Sequence, residues 1–102
     1  MEEGTYYGTA AFRVRGKYIV RLREDDETLV VKVGFDYRDM LMATEPDTYF
    51  ITDHYRNYPG VLVRLGRVEA EELGEVIGQA WRLEALKKLA EAYDQELSRL
   101  NE

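Results

Sequence analysis

A short polar segment, residues 53–60, carries the side chains in this sequence best suited to binding chemistry. It contains His54, Tyr55, Arg56 and Tyr58, and such rings and guanidinium groups can stack on a nucleic-acid base or bind an anion. The alternative is structural: the tyrosines pack the segment onto a sheet and His54 makes a local hydrogen bond. We favour the structural alternative, because one histidine without an identified partner does not make an acid–base catalyst.

A second candidate site is a run of basic residues near the N-terminus. Residues 5–23 contain no acid and five basic residues, which are Arg13, Arg15, Lys17, Arg21 and Arg23. Together with Lys32 and Arg64 these side chains could engage phosphates, which supply most nonspecific affinity for nucleic acids. The alternative is a solvated sheet face, on which Arg13 and Lys32 also protect strand edges. The net charge of −6 and the pI near 4.9 favour that alternative.

Acidic residues are concentrated elsewhere in the chain. From Glu69 onward there are nine acids against four bases, and a run of four acids extends from Glu24 to Glu27. This run could hold a hard cation, but it lacks the spaced ligands and the turn glycine of a calcium loop. A solvated hairpin turn is the better interpretation, and we predict neither a metal nor any other cofactor.

The composition excludes several classes of chemistry. The chain has no cysteine, which rules out disulfides, thiolate metal sites and a cysteine nucleophile. Ser98 is the only serine and lies in a helical pattern near the C-terminus, so the sequence does not favour a catalytic triad of serine, histidine and an acid. We therefore expect no enzyme. Because there is no signal sequence and no apolar run of membrane-spanning length, we also expect a cytoplasmic protein without a membrane partner.

A single domain over residues 1–102 is the expected organisation, and alternation at period two from Ala10 to Phe35 predicts a β-meander within it. We expect the first hairpin to turn at Arg15-Gly16-Lys17 through an odd-length loop. Such a loop keeps Phe12, Val14, Tyr18, Val20 and Leu22 on one face, whereas a two-residue turn would mix the faces. Ile19, Arg21 and Arg23 then point outward.

The remaining elements follow from turn and helix signals. A third strand is expected to extend from Leu29 to Phe35, with Asp36 as the N-cap of a short helix. Residues 48–52 and 61–65 give two more strands. The outer face of these strands then collects the basic side chains of Arg13, Arg21, Arg23, Lys32 and Arg64.

Helical spacing replaces the alternation after Glu69. One apolar stripe contains Leu73, Val76, Ile77, Ala80 and Trp81, and a second contains Leu86, Leu89, Ala90, Tyr93, Leu97 and Leu100. The stripes change phase near Leu83, which indicates two helices or one kinked helix, and we interpret Trp81 and Tyr93 as core residues. The predicted fold class is α+β: an antiparallel sheet of about five strands, a short helix after strand three and a C-terminal helical pair on one face.

Four stretches of this sequence resemble the MmcQ/YjbR-like family. They are residues 4–17 (GTYYGTAAFRVRGK), 29–33 (LVVKV), 54–59 (HYRNYP) and 80–82 (AWR), and the resemblance covers nearly the whole chain. It implies an α+β fold similar to the frataxin-like arrangement. It also implies DNA as a partner, because members are commonly labelled DNA-binding for their double-wing likeness, a label that rests on fold analogy.

The sequence departs from that family pattern at its N-terminus, where family members usually carry a helix. Either a protein partner or a second copy covers the corresponding part of the core, or the remaining helices suffice. Two non-enzymatic hypotheses follow. In one, the basic strand face and the polar segment contact DNA; in the other, the domain is a protein-interaction module or a homo-oligomer.

Overall fold

The computed structural model describes residues 2–6, 9–14 and 17–100, with side chains for Ala11, Arg13 and residues 17–100. Within these residues an antiparallel sheet of six strands is accompanied by two α-helices and a short 3-10 helix. In chain order the elements are β1 (Glu2–Tyr6), β2 (Thr9–Val14), β3 (Lys17–Leu22), β4 (Thr28–Val31), α1 (Phe35–Thr44), β5 (Tyr49–Phe50), the 3-10 helix Asp53–Tyr55, β6 (Val61–Arg64) and α2 (Ala70–Leu100). The strand order β1-β2-β3-β4-β6-β5 confirms the predicted α+β class.

The sheet has one more strand than the five expected. The additional strand is β1, which pairs antiparallel with β2 from Glu2 opposite Arg13 to Tyr6 opposite Thr9. Its sequence, EEGTY, has two acids and a glycine and lacks the alternation that marks the other strands. Pairing with β2 therefore makes this segment a strand, and its own composition does not predict one.

The pairing between β2 and β3 contains a register shift, and both the loop length and the facing residues of this hairpin differ from the prediction. Val14 pairs with Lys17, so two residues connect the strands and the odd-length loop is wrong. The partner of Arg13 is Tyr18 and the partner of Phe12 is Val20, which leaves Ile19 as an extra residue in β3. Ile19 and Val20 are consequently both buried in the main core, with 2% of each exposed. Ile19 was expected to point outward, and the bulge is the reason that it does not.

The main core lies between one face of the sheet and α2. Its buried residues are Ile19, Val20, Val31, Val33, Leu41, Tyr49, Val61, Val63, Val76 and Ala80. Paired residues of β4 and β6 lie at the centre of this core, where Val31 is opposite Val61. Burial of each such side chain contributes about 1.5–3 kcal/mol, so this layer fixes α2 on the inner face of the sheet.

Helix α2 is one continuous helix of 31 residues where a helical pair was expected. No proline or glycine lies near the phase change, and alanine, leucine, glutamate and lysine all favour helix there. The change of phase instead separates a half that packs on the sheet from a half that is exposed. Trp81 and Tyr93, expected in the core, are 45% and 66% exposed.

Gly34 sets the start of α1. Strand β4 ends at Val31, before the predicted strand end at Phe35, and Gly34 is the N-cap of the helix with φ 89° and ψ 159°, a conformation that side-chain-bearing residues rarely adopt. Asp36, expected at that cap, lies in the first turn instead. The N–H of Gly34 donates to the carbonyl oxygen of Pro59 at 2.9 Å, which joins α1 to the polar segment.

A smaller cluster covers part of the outer sheet face. Val30 and Leu62 point to this face and are buried beneath Tyr55, with Phe50 and Ile51 packed at the side. The polar segment therefore folds over the sheet. No helix in the described part of the chain has the length and apolar character needed to cross a membrane.

Candidate nucleic-acid interface

A cleft of about 270 Å³ opens where the polar segment meets the outer face of β3 and β4. Ile19, Val20 and Val30 contribute to its walls. Its remaining lining consists of one cation and four rings, and we call this group the aromatic cleft: Tyr18, Arg21, His54, Tyr55 and Tyr58. The bulge at Ile19 changes the phase of β3, so Tyr18, expected in the core, lines this cleft with Arg21.

Tyr55 organises the ring side of the cleft. It is 7% exposed, and its hydroxyl oxygen accepts a hydrogen bond of 2.7 Å from Nη2 of Arg21. The ring of His54 meets it edge-on with centroids 5.0 Å apart, and the ring of Tyr58 lies 5.9 Å away at 66°. The contacts hold Arg21 beside exposed His54 and Tyr58, whose rings remain accessible to a ligand.

Arg38 anchors the segment that carries these rings. Although it lies on α1, its side chain is 10% exposed and its Nη1 donates to the carbonyl oxygens of Tyr55, Arg56 and Tyr58 at 3.4, 3.2 and 3.1 Å. Nε pairs with Asp39 at 3.1 Å. One buried cation thus satisfies three carbonyl groups of a loop, which fixes its path over the sheet.

Arg13 extends the cleft along β2. Its backbone pairs with Tyr18, and its guanidinium carbon lies 5.6 Å from the centroid of the Tyr18 ring. The Nε atom is buried and has no hydrogen-bond partner among the described residues. Arg13 therefore adds a second cation at the Tyr18 side of the cleft, and Arg21 is held at the Tyr55 side.

The other predicted basic residues do not join this cleft. Arg64 stacks over Phe50 at 3.9 Å and donates to the carbonyl oxygen of Asp47. Lys32 lines a separate cavity of about 370 Å³ beside α2. Lys17 is exposed at the start of β3, and Arg56 pairs with Asp53 at 2.7 Å on the surface. Arg15 lies outside the described residues.

Arg23 lies beyond the end of β3 and next to the acidic turn, away from the cleft. Asp25 accepts hydrogen bonds from the N–H groups of Glu27 and Thr28 and from the Thr28 hydroxyl. The bond from Glu27 is the largest influence that lowers the pKa of Asp25 from its usual value, and the charge of Arg23 adds to it. Asp25 thus stabilises the hairpin turn, and the described residues contain no group of three or more side chains that could hold a metal ion.

Two residues of the site, Tyr18 and Arg38, were not predicted from the sequence. Tyr18 was assigned to the core because the bulge has no local sequence signal. Arg38 did carry a weak signal: it lies three residues before the buried Leu41 on the same face of α1, where an apolar residue is expected. A basic side chain at such a position indicates a buried polar partner.

A family model described as YjbR matches residues 1–83. Uncharacterized proteins from Mycobacterium bovis and from two strains of Mycobacterium tuberculosis are each 47% identical to the chain over 53 residues. These residues are 52% of this chain and 41% of each relative, so the chain spans about two fifths of the length of the curated relatives it matches. No solved structure matches the chain significantly.

Proposed function

The chain belongs to the YjbR family, and from this premise we propose that the domain is a non-enzymatic DNA-binding module that uses the aromatic cleft. The observation that carries the proposal is the position of Arg21 beside His54 and Tyr58, with Tyr55 holding the arginine at 2.7 Å. Rings stack on bases regardless of sequence, and arginine meets phosphate. This combination suits unpaired nucleotides better than a duplex, whose bases are already stacked.

The charge of the protein limits the affinity that this site can reach. A net charge of −6 repels a polyanion at long range, so binding depends on a few local contacts. If Arg13 and Arg21 each meet one phosphate of a single strand, the logarithm of the binding constant should fall with the logarithm of salt at a slope of about −1.4. Weak, salt-sensitive binding with modest sequence preference is the expected behaviour. The cysteine-free composition supports a cytoplasmic site of action.

Fluorescence anisotropy of labelled oligonucleotides, titrated with protein at several salt concentrations, tests this function. We expect single-stranded DNA to bind more tightly than duplex DNA. Arg21→Gln should weaken binding about tenfold and make the salt slope shallower by about 0.7. Arg82→Gln is the matched control, because Arg82 is an exposed arginine on α2, on the opposite side of the sheet.

Three outcomes would contradict the proposal. Absence of binding at low salt would leave the DNA-binding label of the family without support in this domain. Equal losses in Arg21→Gln and Arg82→Gln would indicate a diffuse charge effect and remove the cleft from the argument. An unchanged affinity in Tyr58→Ala, in a variant whose folding is confirmed by circular dichroism, would exclude stacking on that ring.

A further inference from the structure

The second half of α2 presents apolar side chains that nothing in the described structure covers. Val76 and Ala80 are buried against the sheet, whereas all residues from Leu89 to Leu100 are exposed. The exposed fractions of the large apolar side chains are 62% for Leu86, 64% for Leu89, 66% for Tyr93, 42% for Leu97 and 72% for Leu100. A helix that stays in water usually presents scattered apolar residues, so a continuous row of this kind marks an interaction surface.

The spacing of this row is that of a coiled coil. Leu83, Leu86, Ala90, Tyr93, Leu97 and Leu100 recur at intervals of three, four, three, four and three residues, which makes them alternate a and d positions of a heptad. We call these six residues the helix seam. A seam that repeats at this spacing fits another helix of the same kind, because each side chain then enters a hole between four residues of its neighbour.

We propose that the helix seam binds the helix seam of a second copy of this chain in the antiparallel orientation. With Leu83 opposite Leu100 of the second copy, Leu86 meets Leu97 and Ala90 meets Tyr93. The two-fold axis repeats each of these layers. The small side chain of Ala90 leaves room for the large ring of Tyr93, so the central layers pack without a clash.

Charges beside the seam select the orientation. In the antiparallel register Lys87 and Asp94 occupy facing e positions, and symmetry gives two such pairs of opposite charge. Neither residue forms an ion pair within the described part of the chain. A parallel pair would instead set Arg82, at a g position, against Lys87 of the second copy, which is repulsive.

The proposal is independent of DNA binding. The helix seam lies on α2, which packs against the inner sheet face, and the aromatic cleft lies on the outer face. A dimer through the seam leaves both clefts open. The seam can therefore be disrupted without touching Arg21 or Tyr58, and failure of one proposal would not bear on the other.

Sedimentation equilibrium over the micromolar range tests the dimer, with folding followed by circular dichroism. The wild-type chain should dimerise with a dissociation constant on the order of micromolar. Leu97→Glu should be a folded monomer, since Leu97 is 42% exposed and belongs to neither core cluster of the described residues. Met40→Glu is the matched control, because Met40 is an exposed apolar residue on α1, outside the seam, and it should dimerise as wild type does.

Charge reversal tests the orientation. Lys87→Glu and Asp94→Lys should each weaken the dimer about tenfold, and the double variant should restore it. A wild-type chain that is monomeric at every concentration, or a Leu97→Glu variant that dimerises normally, would overturn the proposal. A dimer that Lys87→Glu strengthens would overturn the antiparallel register, because that change relieves the repulsion expected only in a parallel pair.

Discussion

The Nη1 atom of Arg38 lies 3.1 Å from the carbonyl oxygen of Tyr58, and through this bond α1 holds the segment that carries the rings of the aromatic cleft. The same nitrogen donates hydrogen bonds to the carbonyl oxygens of Tyr55 and Arg56. The site is thus positioned by a residue that belongs to another element and does not line it.

Arg38→Met should lower the free energy of unfolding by about 3 kcal/mol, because it leaves buried carbonyl groups without a donor while it keeps much of the side-chain volume. Urea unfolding gives the value. Arg38→Lys should restore only part of the loss, since an ammonium on a flexible stem does not reproduce the planar guanidinium. Arg82→Met, at an exposed position of α2, is the control and should change stability little. Equal effects at Arg38 and Arg82 would show that the carbonyl contacts are unimportant.

Gly60→Ala should destabilise the domain and disturb the cleft. A Cβ atom at residue 60 would lie 2.6 Å from Cε1 of Tyr58 and 3.2 Å from the carbonyl oxygen of Val31. The ring can swing aside, but the strand carbonyl cannot, so we expect a loss of about 1–3 kcal/mol in thermal or urea unfolding. Gly74→Ala is the matched control, because no heavy atom lies within 4 Å of the Cβ position there. Its helical site should make it neutral or stabilising.

Asp25 should make the stability of the hairpin turn depend on pH. Hydrogen bonds lower the pKa of this carboxyl in the folded state. Its contribution to the stability of the fold is therefore fully present above the ordinary pKa and is lost as the pH falls through the lowered pKa of the folded state. Asp25→Ala should therefore lower the melting temperature near neutral pH and differ less from wild type at about pH 3. Glu24→Gln removes a charge from the same turn and should show no comparable convergence. If the difference in melting temperature between Asp25→Ala and wild type stayed constant from neutral pH to about pH 3, the pH dependence would not come from Asp25.

Glu84→Gln should stabilise the domain. The side chain of Glu84 is buried, with 3% of the residue exposed, and its Oε1 has no hydrogen-bond partner in the described residues. A buried carboxylate with an unpaired oxygen opposes folding, and an amide of the same size removes the charge, so we expect a gain of about 1 kcal/mol in urea unfolding. Glu91→Gln removes an exposed charge that pairs with Lys88 at 3.6 Å and should bring no gain. A loss of stability in Glu84→Gln would indicate that the carboxylate has a partner after all.

The strands and the short helix were predictable because their signals are local. Alternation identified β2, β3 and β4, and the short helix predicted after strand three is confirmed as α1. The sequence also brought Arg21, His54, Tyr55 and Tyr58 into one hypothesis, and the structure brings them to one cleft. Each of these signals lies within a few residues along the chain.

What was missed depends on contacts between distant residues. The bulge at Ile19 is a property of the pairing between β2 and β3, so it moved Tyr18 to the cleft without any mark in the composition. The role of Arg38 depends on carbonyl groups 17 to 20 residues away. The continuity of α2 was misjudged because a change of apolar phase was taken as a break, when it separates a half that packs on the sheet from the helix seam.

The extra residue in β3 also separates the fate of the core from that of the cleft. Ile19 and Val20 both face the core, so deletion of Ile19 would restore regular alternation, with Val20 facing the core and Tyr18 and Arg21 still facing the cleft. A chain shortened there would lose one core side chain and keep every ring of the cleft. When relatives are aligned, a one-residue gap between Tyr18 and Val20 should therefore be read as a change in core packing that leaves the binding surface in register.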